Sequence, residues 1–97
     1  MKNKNLEGGA RILALQTTLG KSTKDMGTAG GTSAQKWYRL VHGQPMNVQV
    51  QSRLEKSLGL FDLGTWYLGG TLTPRLLARL VELTGLSEAD VKARMGC

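Results

Sequence analysis

The chain is expected to be all-α, and three observations lead there. Apolar residues recur at helical spacing in several segments, a serine, threonine or asparagine stands ahead of most of them, and glycines close them. With 97 residues, 40% of them apolar but only two Trp, two Tyr and one Phe, the composition suits one small helical bundle with a modest core.

The first nine residues, MKNKNLEGG, are polar and contain glycine, and are expected to form a disordered, solvated tail carrying Lys2 and Lys4. Ile12, Leu15 and Leu19 fall at i, i+3 and i+7, which places a first helix over residues 10–19. Ser22 caps a second, short helix, because its hydroxyl can accept a hydrogen bond from a first-turn N–H. Asp25 follows three residues later, against the positive end of the helix dipole. Met26 and Ala29 are expected to point inward. Gly27 beside them has no side chain and lets the next helix cross close to its backbone. Gly30 and Gly31 then end the helix, since glycine reaches the left-handed region without steric cost.

A third helix restarts at Thr32 or Ser33, and its Trp37, Leu40 and Val41 form an apolar stripe. Its other face carries Ser33, Gln35, Lys36 and Arg39, with the small apolar Ala34 near the start. Such side chains suit duplex DNA: glutamine can bond adenine through both amide atoms, arginine and lysine favour guanine or phosphate, and alanine can touch a thymine methyl. An ordinary solvated helix face has the same composition, so the residues alone leave both readings open.

Order and spacing add to this. Leu19-Gly20-Lys21-Ser22, the turn and helix start Gly31-Thr32-Ser33-Ala34-Gln35-Lys36, and the close from Arg39 to Gly43 resemble the helix-turn-helix of the phage repressor and Cro family, the xenobiotic-response-element type. Arg53-Leu54-Glu55-Lys56-Ser57-Leu58-Gly59-Leu60 is similar to that family's fourth helix, and residues 62–70, around Trp66-Tyr67-Leu68-Gly69, to its closing helix. Some positions depart from the pattern. Gly27 stands where alanine is usual, the turn is richer in glycine, and Gln16 and Val41 occupy the places of a common buried arginine–glutamate pair. One or two extra residues lie between Leu60 and Trp66.

The resemblance implies a five-helix repressor-like bundle over residues 10–70 that binds double-stranded operator DNA. Its contacts would come from Ser22, Thr23, Thr32, Ser33, Ala34, Gln35, Lys36 and Arg39. Gln44, Asn47, Gln49 and Arg53 would lie near the DNA backbone, with Asn47 also capping a fourth helix whose inward side is Val48, Val50, Leu54 and Leu58. Self-association is expected too, because a two-fold dimer sets two recognition helices about 34 Å apart, one turn of DNA.

The net charge of +6 favours a polyanionic partner. Residues 1–70 hold nine basic and four acidic side chains, residues 71–97 four and three, so the excess lies in the candidate DNA-binding part. After Gly69-Gly70, Thr73 caps and Pro74 opens a helix carrying Leu76, Leu77, Leu80 and Val81 up to Gly85, and Ser87 to Asp90 open a last short helix with Val91 and Met95. A second helix-turn-helix over residues 75–95 is rejected, because Glu88 and Asp90 would face phosphates. The extension, residues 71–97, is expected to dock on the bundle or to dimerise through Leu76, Leu80 and Leu83.

Catalysis finds little support. His42 is the single histidine and Cys97 the single cysteine, which leaves no cysteine metal site or intramolecular disulfide, and neither a phosphate loop nor a nucleophile elbow is present. No membrane segment or signal peptide is visible, and a reducing, cytoplasmic, nucleoid-associated location is expected. The sequence therefore points to a non-enzymatic, cofactor-free repressor with no room for a separate ligand-sensing domain. Two alternatives remain open: an antitoxin that uses its C-terminal helices on a toxin, or a protein-interaction module, antirepressor or inhibitor, that kept the fold without DNA binding.

Overall fold

Local hydrogen bonds start most of the helices. In the structure, a computed structural model describing residues 4–95, Asn5 Oδ1 accepts from Gly8 N at 2.8 Å and opens α1 (Leu6–Leu19). Ser22 and Ser33 do the same for α2 (Thr23–Ala29) and α3 (Ala34–Val41), each at 3.1 Å. Asn47 caps α4 (Val48–Leu58) at 2.8 Å and Thr73 caps α6 (Pro74–Thr84) at 3.2 Å. Ser87 accepts from Asp90 N at 3.1 Å at the start of α7 (Glu88–Met95). Each such cap is worth about 1 kcal/mol. The short α5 (Leu63–Tyr67) differs, for Asp62 precedes it in the left-handed region at φ 67° and makes no side-chain cap. Its carboxylate instead accepts from Thr73 Oγ1 at 2.8 Å and pairs with Arg75 at 3.1 Å, tying the start of α5 to the start of α6.

The first helix begins four residues earlier than the periodicity places it. Residues 5–9 are not a disordered tail: Asn5 N donates to Gly43 O at 2.7 Å, and Gly8 and Gly9 are buried. A Cβ on Gly9 would stand 2.6 Å from the Val41 carbonyl oxygen, so this glycine marks a close crossing of α1 over the end of α3. Composition alone made the segment look flexible. Lys2 and Cys97, to which a tail and a lone thiol were assigned, lie outside the described residues.

One core unites all seven helices of the described residues. Ile12, Leu15, Met26, Trp37, Leu54, Leu60, Leu63 and Trp66 are fully buried together with Leu76, Leu80 and Val91. Burying a leucine contributes about 1.5–3 kcal/mol. Residues 71–95 are thus part of the bundle, with α7 packed on α1 and α6. This corrects the dimerisation set: Leu76 and Leu80 are 0% exposed inside the chain, and only Leu83, at 38%, reaches solvent. Arg11 closes the C-terminal end of α5, donating from Nη1 to Trp66 O at 2.6 Å and Gly70 O at 2.9 Å. No helix among the described residues is long and apolar enough to cross a membrane.

Candidate nucleic-acid interface

The α2–α3 pair is held close by an absent side chain. A Cβ on Gly27 would stand 2.9 Å from the Ser33 carbonyl carbon and oxygen, and Thr32 N donates to Gly27 O at 2.8 Å. Of the two turn glycines, Gly31 takes the left-handed conformation, at φ 69°, while Gly30 is buried against Val50. Ser33, rather than Thr32, then caps α3.

Trp37 fixes how α3 is turned. It is 0% exposed, and its indole Nε1 donates to Gln16 Oε1 of α1 at 2.8 Å. With Trp37 and Leu40 inward, Ala34, Gln35, Lys36 and Arg39 are exposed on the outer side of the helix. Tyr38 shares that exposure at 57%, stacked at 4.1 Å between ring centroids on His42. His42 Nδ1 lies 2.8 Å from the Tyr38 carbonyl, which can only accept, so that nitrogen carries a proton. Sequence reasoning passed over Tyr38, although its place off the Trp37–Leu40–Val41 stripe marks it as outward.

Beside α3 runs a groove of about 680 Å³, walled by the α2–α3 turn, α3, the loop from Gln44 to Asn47, and α4. Its four ionisable side chains, Lys36, Arg39, Arg53 and Lys56, are all cationic. Four cations lining one groove with no acid favour an anion there, and a phosphate backbone carries that charge. The Arg53 stem rests on the turn, with its Cγ 3.0 Å from where a Gly31 Cβ would be.

Thr32, Lys36, Arg39, Gln44, Asn47, Gln49 and Arg53 all line this groove, as expected residues of one surface. Ser33, Ala34 and Gln35 are exposed at the adjoining start of α3. Ser22 and Thr23 stand outside the groove lining at the start of α2, where Ser22 Oγ is engaged as a cap. Val48 was expected inward but is 74% exposed and forms part of the groove wall. Only Val50 and Leu54 of that set are buried, because Val48, two residues before Val50 on a helix of about 3.6 residues per turn, falls on the opposite side of α4. Lys56 was missed; its position three residues after Arg53, on the same helix face, was the available signal. Comparison with protein-family models, with curated proteins and with solved structures gave no match.

Proposed function

We propose that this protein is a sequence-selective regulator of transcription that binds double-stranded DNA, and that it acts as a dimeric repressor at a phage, plasmid or other mobile-element promoter. The observation that carries this reading is the groove with four cations and no acid, lying against the exposed polar face of α3. The groove offers charge for the phosphate backbone, while Gln35 and Arg39 offer hydrogen bonds to base edges. The resemblance of residues 19–43 to the repressor and Cro helix-turn-helix supports the same assignment of roles. Dimerisation rests on the short reach of a single recognition helix.

The test is a titration of the purified protein on its own upstream region, with unrelated duplex as competitor and salt varied. A selective shift that weakens with salt is the expected result. Equal affinity for both duplexes overturns the regulator reading and turns attention to a protein partner.

A further inference from the structure

The Gln16 side chain joins three helices through one amide. Its Oε1 accepts from Trp37 Nε1 at 2.8 Å, and its Nε2 donates to Thr23 Oγ1 at 3.3 Å. An indole nitrogen only donates, so the amide orientation is chemically determined: oxygen toward Trp37, NH₂ toward Thr23. Thr23 Oγ1 is thereby held as an acceptor on its inner side, and its own proton is left to donate elsewhere. The three groups form a chain with a single polarity, from the buried indole of α3, through α1, to the first residue of α2.

We infer that Gln16 is a positioning residue for nucleic-acid recognition: it sets the rotation of α3 through Trp37 and presents the Thr23 hydroxyl as a donor for a phosphate oxygen. The inference rests on the DNA-binding reading above. Gln16 touches no nucleic acid in this account. Its effect on sequence choice arises because Trp37 and the outward Gln35 and Arg39 share one rigid helix of eight residues, so a rotation that relaxes the indole moves the reading side chains. Loss of the acceptor would also strand a donor on a residue that is 0% exposed, which favours such a rotation.

Two measurements on ¹⁵N-labelled protein test this. The chain has two tryptophans, and Trp66 Nε1 has no hydrogen-bond partner among the described residues, so its indole resonance is an internal reference for that of Trp37. In Gln16→Met the Trp37 indole proton is expected to move upfield while that of Trp66 stays. The second measurement is affinity for a duplex selected from a library with a randomised centre, against the unselected library. Gln16→Met is expected to lower the selected-to-unselected ratio about tenfold, and Thr23→Val to lower both affinities together by about threefold. An unmoved Trp37 resonance overturns the Gln16 pin. A moved resonance with an unchanged ratio overturns the positioning role. If the parent chain enriches no duplex while the resonance moves, the DNA-binding reading fails and the positioning role with it, although the pin itself stands. If Gln16→Met does not fold, Thr23→Val carries the test, and unchanged affinity for both duplexes overturns the outward donor.

Discussion

Gln35, Lys36 and Arg39 stand exposed on one helix, yet their chemistry separates them. A glutamine amide can match an adenine edge but adds no charge, so Gln35→Ala is expected to cost about 1–3 kcal/mol on a selected site and little on random duplex. Binding titrations on both duplexes check this, and equal losses would remove Gln35 as a base reader. Lys36 and Arg53 line the cationic groove. If they meet phosphates, replacing either with alanine weakens binding to any sequence and reduces the slope of log K against log salt by about one unit. A slope that stays at the parent value would place that side chain away from the backbone.

At the scale of elements, the α2–α3 crossing depends on Gly27. Alanine is the better helix former by about 1 kcal/mol, but here its Cβ would press on the Ser33 carbonyl group, which is backbone and cannot turn aside. Overpacking of this kind costs about 1–3 kcal/mol, so Gly27→Ala is expected to be destabilising on balance, as read by thermal unfolding; a stabilised variant would refute the close crossing. The α5–α6 joint has a different sensitivity. Hydrogen bonds from Arg75 and then Thr73 hold the Asp62 carboxyl below the usual carboxylate range. A group whose pKa is depressed on folding contributes stability above its unfolded pKa and loses it as pH falls through the folded value. Asn tolerates the left-handed backbone at this position but cannot pair with Arg75 as a charge. The difference in melting temperature between the parent and Asp62→Asn is therefore expected to be largest near neutral pH and to shrink below about pH 4. Parallel curves across that range would remove Asp62 as its source.

For the whole molecule, residues 71–95 bury their apolar side chains in the same core as the helices before them. Leu76, Leu80 and Val91 share one buried cluster with Trp37 and Leu15, so Leu80→Ala is expected to cost about 2–5 kcal/mol, a large part of the stability of a domain this size. A chain ending at residue 70 is expected to lose its cooperative unfolding transition by circular dichroism. Retention of that transition would show that residues 10–70 fold without the C-terminal helices.

Most of the helix order was legible in the sequence because caps, apolar spacing and glycine stops act over three or four residues. Ser22, Ser33, Asn47 and Thr73 each bond a backbone N–H three positions on, an interaction that needs no distant partner. The outward Gln35, Lys36 and Arg39 followed from the same periodicity. Other features depend on which surfaces meet across the bundle. Gly8 and Gly9 read as a loose tail until α1 is seen to cross α3, Leu76 and Leu80 fit a docking face or a dimer seam equally until α6 is seen inside the core, and Val48 reads as inward until α4 is placed beside the groove. The sequence by itself determined the helices and the polar face of α3, through local hydrogen bonding and side-chain spacing. Only the tertiary structure decided the burial of Leu76 and Leu80, the gathering of Arg53 and Lys56 with Lys36 and Arg39, and the Gln16 bridge, because each requires residues far apart in the chain to be brought into contact.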